Sequence, residues 1–160
     1  VATPVAIALG SNLGDRRAHL EWALSALEPS ILTSVRASAF VDTAPHDVPD
    51  AQPHYLNAVV VGTTTLAPRA VVDGLLDLER ARGRVRLTPK AARTLDLDLI
   101  LYGDLVVTEQ GLIVPHPRFR ERAFVLAPLA TLVPGWRDPV TGLTVRALAG
   151  RLTHEGPAGQ

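Results

Sequence analysis

The spacing of apolar residues changes several times along the chain. Val5 to Leu9 is a short apolar run that stops at the turn formers Gly10-Ser11-Asn12, which predicts a buried strand. From Asp15 onward Leu20, Ala23, Leu24 and Leu27 recur at intervals of three and four, and Glu28-Pro29 closes the run, so a helix is predicted there. Ile31 to Val41 alternates loosely, as a second strand would. Asp42 to Asp50 combines three acids with two prolines and predicts a long loop. Tyr55 to Leu66 is rich in valine and threonine and predicts a third strand. Pro68 suits the first turn of a second helix, whose apolar positions Val71, Val72, Leu75, Leu76 and Leu78 lie mostly on one face, and Gly83 is placed to end it. A polar stretch from Arg84 to Thr94 leads into Leu95 to Tyr102, a fourth strand closed by Gly103-Asp104.

The order β-α-β-β-α-β predicts an α+β chain with a ferredoxin-like core, in which an antiparallel sheet carries its helices packed on one face. Beyond it, Val106 and Val107 predict a short strand, Ala123 to Leu132 a C-terminal helix, and the Gly/Pro-punctuated stretch from Gly135 to Gln160 a frayed end of roughly ten residues. With 160 residues and 47% hydrophobic content, residues 1–160 are expected to form a single domain.

Composition narrows the function classes. There is no cysteine, which excludes disulfides, thiolate metal sites and a thiol nucleophile, and fits a reducing cytoplasm. The first residues lack a basic leader and no apolar run approaches the ~18 residues of a membrane span, so a cytoplasmic protein without membrane contact is expected. Sixteen basic and sixteen acidic residues balance to zero, which argues against a surface built to hold nucleic acid. The distribution is less even: Arg80, Arg82, Arg84, Arg86, Lys90 and Arg93 cluster in one segment, and Arg118, Arg120 and Arg122 in another.

Asp96 and Asp98 are the sharpest chemical feature. On a strand, positions i and i+2 point to the same side, about 7 Å apart along the chain. Two carboxylates sharing one space suit magnesium, which takes one or two protein carboxylates and fills its shell with water and phosphate oxygens. The same alternation also describes an amphipathic strand with leucines inward and acids in water, although Ile100 and Tyr102 continue the aspartate face. Arg84, Arg86 and Arg93 precede the pair closely and could fork onto polyphosphate oxygens. Arg80 and Arg82 instead suit the dipole of the second helix. His116 to Phe124 brings a histidine, three arginines and two aromatics into one segment, which reads equally as a phosphate-contacting loop or a solvated one. His19, His46, His54 and His154 have no metal-ligand spacing. Tyr55 and Asn57, again i and i+2, could offer a ring and an amide to a flat heterocycle, or be ordinary sheet residues. Gly10 to Gly14 lies between strand and helix but lacks the Gly-Lys-Ser/Thr ending of a phosphate loop.

Five stretches, in order, resemble the 6-hydroxymethyl-7,8-dihydropterin pyrophosphokinase family. They are Ala8 to Asp15, Tyr55 to Val59, Gly83 to Arg86, Arg93-Thr94-Leu95-Asp96-Leu97-Asp98, and Val114-Pro115-His116 with Arg122 and Phe124. The resemblance implies transfer of diphosphate from ATP to the pterin alcohol in folate biosynthesis, with two Mg2+ ions held by Asp96 and Asp98. It implies that Arg84, Arg86, Arg93, His116 and Arg122 bind the triphosphate, with Arg84 and Arg93 acting together with Asp96 and Asp98 in catalysis. It implies a pterin stacked between Tyr55 and Phe124 and read by Asn57, by the segment Thr43, Ala44 and Pro45, and by the Gly10 backbone, with Glu79 supporting the site. A monomer is expected, with ATP and the pterin as its small-molecule partners.

One stretch departs from the pattern. Many members read Arg-Trp-Gly-Pro-Arg where this chain has Pro89-Lys90-Ala91-Ala92-Arg93, so a lid arginine and tryptophan are missing and Lys90 stands as a flexible substitute for the charge. Two other readings compete: a ferredoxin-like module binding nucleic acid or a partner, marked by exposed aromatics on the sheet, and a metal-dependent phosphohydrolase using the same acids.

Overall fold

A computed structural model of the chain describes residues 1–43, 54–83 and 94–155, with side chains from 153 onward excepted. The elements are β1 (Thr3–Ser11), α1 (Arg16–Leu27), β2 (Thr33–Ala37), β3 (Val41–Thr43), β4 (Tyr55–Thr64), α2 (Pro68–Ala81), β5 (Asp96–Tyr102), β6 (Val107–Glu109), β7 (Leu112–Val114), a 3-10 turn (Phe119–Glu121), α3 (Ala123–Leu132) and α4 (Val145–Glu155).

The main sheet is antiparallel in the order β2-β4-β1-β5, with β3 also paired to β4, while β6 and β7 form a separate hairpin. Asp15 caps α1, its side chain accepting the Ala18 amide at 3.1 Å. Pro68 opens α2, and Gly83 follows it at φ +86°, a left-handed conformation that glycine adopts without steric cost.

The second predicted strand, Ile31 to Val41, is two short strands. Ser38 interrupts it: its N–H donates to Val59 O at 2.8 Å and its Oγ accepts the Val59 amide at 2.9 Å. Ala37 lies opposite Val60 and Val41 opposite Asn57, so one extra residue is accommodated between β2 and β3.

Each face of the sheet has its own core. Val5, Ile7, Leu9, Ala58, Val60, Leu97 and Leu99 pack under α1 and α2 through Leu20, Ala23, Leu27, Val71 and Leu75. This is the expected ferredoxin-like unit. On the opposite face Ala6, Val59, Val61, Ile100 and Leu101 meet Phe119, Val125, Leu126, Leu129, Val145 and Leu148 from the 3-10 turn, α3 and α4. Helix α4 begins inside the stretch whose glycines and prolines predict an irregular end, and Val145, Leu148 and Leu152 follow helical spacing within it.

Strand β5 also departs from simple alternation. Ala6 lies opposite Leu101 but Ile7 lies opposite Leu99, so Ile100 is an extra residue in the strand. The bulge rotates the end of the strand: Ile100 stays on the face of Asp96 and Asp98, whereas Tyr102 turns to the α2 side, where its hydroxyl donates to Leu66 O at 2.6 Å. Tyr102 therefore does not continue the aspartate face.

Candidate active site

The floor of the site comes from β-sheet register. Gly10 lies opposite Asn57 on one side and opposite Asp96 on the other, and the next row is Val59, Ala8 and Asp98. Residues directly opposite share a face, so Tyr55, Asn57, Gly10, Asp96 and Asp98 all look to the side that α3 and α4 partly cover. The two outer strands of this trio stand about 9–10 Å apart, twice the spacing of neighbouring strands. Between them the central strand carries no side chain at Gly10 and only a methyl at Ala8, which leaves a shallow trough. A Cβ at Gly10 would stand 3.2 Å from Asn57 Oδ1 and 3.5 Å from Tyr55 Cδ1, so glycine keeps this floor open.

One wall of the trough is polar and fixed. Asn57 and Thr43 are both buried, and Asn57 Nδ2 donates to Thr43 Oγ1 at 2.5 Å. Thr43 ends β3 and Tyr55 begins β4, and the two lie opposite each other. Arg16 ties the same strand ends, donating to His54 O at 2.5 Å and pairing with Asp42 at 3.3 Å.

The acidic wall lies at the edge of the sheet as described, since among the described residues β5 pairs with β1 alone. Asp96 and Asp98 are half-buried, and Leu95, Leu97 and Leu99 are buried beneath them, as the alternation predicted. The outward-facing amide of Leu97 donates to Glu79 Oε2 at 2.7 Å, and Glu79 is 1% exposed on α2. A cleft of about 420 Å³ runs along this edge, lined by the two aspartates, Glu79 and His116 and by the apolar side chains of Val72, Leu76 and Ile113. Leu76 and Ile113 are exposed, and the apolar end of the cleft is hidden in the sequence because Leu76 and Val72 read simply as core positions of α2.

His116 and Arg122 complete the charged end. The His116 amide donates to Ile100 O at 3.0 Å, which ties this segment to β5 just past the aspartates. Burial, reinforced by the charge of Arg122, pushes the imidazole down to about 4, so His116 is neutral at physiological pH. Its Nδ1 accepts the Arg118 amide at 3.1 Å, which assigns the ring proton to Nε2 and makes that atom a hydrogen-bond donor. Burial also lowers the Arg122 guanidinium, while Asp98 and Asp96 act in the opposite sense, placing Arg122 in the field of both acids. Its guanidinium lies 5.6 Å from the centre of the Phe124 ring, which packs on the same sheet face.

Of the candidates read from the sequence, the structure thus brings together Gly10, Thr43, Tyr55, Asn57, Glu79, Asp96, Asp98, His116, Arg122 and Phe124. Ala44, Pro45, Arg84, Arg86, Lys90 and Arg93 lie outside the described residues. Among the described residues no group of three or more His, Asp or Glu side chains could hold a metal ion unaided. Two carboxylates with room for water and phosphate oxygens nevertheless match what magnesium takes from a protein.

The chain is similar to known proteins along most of its length. It is 38% identical over 140 residues to the 2-amino-4-hydroxy-6-hydroxymethyldihydropteridine pyrophosphokinase of Synechocystis, covering 87% of this chain and 71% of that protein. To the enzyme of the same name from Pseudomonas aeruginosa it is 40% identical over 135 residues, covering 84% and 83%. It is 42% identical over 129 residues to a mitochondrial folate synthesis bifunctional protein of Arabidopsis thaliana, covering 81% of this chain but spanning only 23% of that much longer relative. In fold it resembles the Plasmodium falciparum HPPK-DHPS crystal structure at a TM-score of 0.75 and 14% identity, covering 97% of this chain and 45% of that one. The model of the 7,8-dihydro-6-hydroxymethylpterin-pyrophosphokinase family matches residues 6–134, and the chain belongs to that family.

Proposed function

We propose that the chain transfers a diphosphate group from ATP to 6-hydroxymethyl-7,8-dihydropterin, releasing AMP, in folate biosynthesis. The observation that carries this reading is the row Asn57–Gly10–Asp96, which sets a trough fit for a flat heterocycle directly beside a pair of carboxylates. The family match and the relatives named for the same reaction support it.

In this reading the pterin lies over Gly10 and Ala8, its ring stacked between Tyr55 and Phe124 and its edge hydrogen-bonded by Asn57, whose amide is held in place by Thr43. The family resemblance adds Ala44 and Pro45, which lie outside the described residues, to the groups that would read the pterin. The adenine packs on the apolar cleft wall of Val72, Leu76 and Ile113, leaving the phosphates to run past His116 toward the aspartates. Nε2–H of His116 and the guanidinium of Arg122 donate to phosphate oxygens, and Arg84, Arg86 and Arg93 add charge from their segment, with Lys90 in reserve. Asp96 and Asp98 would hold two Mg2+ ions, which when bound would neutralise the phosphates and acidify the attacking hydroxyl. The hydroxymethyl oxygen attacks the β-phosphorus in line, the bond from that phosphorus to the bridging oxygen of the α-phosphate breaks, the hydroxyl proton passes to solvent water, and AMP leaves. Alignment and charge neutralisation are the protein's contribution; no covalent intermediate is required.

The nucleic-acid reading needs an open sheet face with aromatic platforms. Here α3 and α4 cover Ala6, Val59, Val61 and Ile100 on the face concerned. A single domain, a monomer and a cytoplasmic setting belong to the same proposal. A particle mass near 17.1 kDa by light scattering is the expected measure of the monomer.

The deciding assay incubates the chain with ATP and Mg2+, with and without the pterin, and weighs the products. AMP and the pterin diphosphate formed only together support the reading. AMP or phosphate released without pterin would make the chain a phosphohydrolase.

A further inference from the structure

Between His116 and Arg122 the chain turns through a short 3-10 segment, and two side chains hold it. Phe119 is fully buried in the core under α3 and α4. Arg120, stacked 4.8 Å over the Phe119 ring, donates from Nε to Asp138 Oδ2 at 2.5 Å and from Nη2 to Asp138 Oδ1 at 2.8 Å. This bidentate pair joins the segment to residues 137–144, which lie past residue 134, where the family match stops.

Asp138 is built as a fixed acceptor. Its side chain is 0% exposed, and its oxygens also accept the Val140 amide at 3.0 Å and the Thr141 hydroxyl at 2.7 Å. Its backbone N–H donates to Leu143 O at 2.9 Å and its carbonyl accepts from Gly142 at 2.8 Å, closing a tight turn around it. Burial opposes its ionisation, but the bonds from Arg120, Thr141 and Val140 outweigh that and hold the carboxyl at about 2.

We propose that Asp138, acting through Arg120, is a positioning residue for the triphosphate: it sets the segment that carries His116 and Arg122 and neutralises the middle of three alternating arginines. Arg118, Arg120 and Arg122 would otherwise repel one another across two-residue spacings. Arg120 is locked onto Asp138, whereas Arg122 lies in the field of Asp98 and Asp96. A buried fork that fixes one geometry serves specificity more than net stability.

The inference rests on the pyrophosphokinase reading, so its test separates the two. ATP dissociation constants, measured by titration with Mg2+ and no pterin, and KM values for both substrates are compared between wild type, Asp138→Asn and Arg120→Lys at a temperature where each is folded. Asp138→Asn is expected to weaken ATP binding and raise the ATP KM about tenfold or more, with pterin affinity changed less than about twofold. Arg120→Lys, which keeps the charge but loses the fork, should fall between wild type and Asp138→Asn. A folded variant that loses thermal stability yet keeps wild-type ATP affinity would overturn the proposal. Should Asp138→Asn not fold, Arg120→Lys alone decides. A wild type that binds ATP but forms no AMP with pterin would remove the diphosphate-transfer reading while leaving the affinity comparison to judge the clamp.

Discussion

Glu79 on α2 satisfies the outer side of β5: its Oε2 accepts the Leu97 amide at 2.7 Å, between the two aspartates, on a side where no strand pairs among the described residues. An edge amide buried without a partner would cost about 1–3 kcal/mol. Glu79→Ala is therefore expected to lower unfolding free energy by about that amount and to reduce turnover as well, because Asp96 and Asp98 flank the residue that moves. Glu79→Gln, which keeps an acceptor oxygen, should recover most of the stability. Chemical denaturation of both variants checks this, and equal stability of Glu79→Ala and wild type would refute it.

Asp98→Ala should reduce turnover by more than about 100-fold, because on the proposed reading it removes half of the carboxylate pair that holds the metal beside the phosphates. A loss within about tenfold, only ~1.4 kcal/mol of transition-state stabilisation, would exclude Asp98 as a metal ligand. Chelation by EDTA should abolish turnover in the wild type, and added Mg2+ should restore it.

The Asn57–Thr43 bond predicts a loss confined to one substrate. Asn57→Ala removes the amide from the trough, and Thr43→Val leaves that amide buried with its partner gone. Both should weaken pterin binding by about tenfold, a change worth ~1.4 kcal/mol, and leave ATP binding within about twofold. Tyr55→Ala should also weaken pterin binding through the lost stacking surface. Fluorescence titration of the pterin is the measurement, and unchanged affinity in Tyr55→Ala would rule out stacking there.

His116 gives a pH signature. The unfolded imidazole titrates near 6.5 and the folded one at about 4, so between those values the unfolded state binds more protons. Stability should rise with pH through that window and level off above it, and His116→Gln should remove part of the rise. By NMR the His116 ring should hold its neutral shifts from pH 8 down to pH 5.5 in the absence of ligand. A midpoint near 6.5 would show that burial does not set its charge.

Much of this architecture is legible one segment at a time. The alternation of Leu95 to Leu99 with Asp96 and Asp98 predicts both buried leucines and a shared aspartate face, because side-chain direction along a strand obeys a period of two. The Leu20, Ala23 and Leu27 stripe of α1 is equally plain. What period-two reasoning cannot supply is the extra residue at Ile100, which sends Tyr102 to the other face, or the one at Ser38–Phe40, which splits a predicted strand. Bulges depend on what the partner strand offers, and that partner is remote in sequence.

By itself the sequence determined the βαββαβ order of the core, the carboxylate pair and the family, because each is written in contiguous residues. Tertiary structure decided which residues share a space. Register across β4, β1 and β5 put Asn57, Gly10 and Asp96 in one row, although they come from three separate stretches of chain. Folding of the C-terminal segment brought Asp138 to Arg120, and the outer side of β5 gave Glu79 its partner in the Leu97 amide. These pairings arise from packing and from the cost of leaving buried polar groups unbonded, neither of which is visible until distant segments meet.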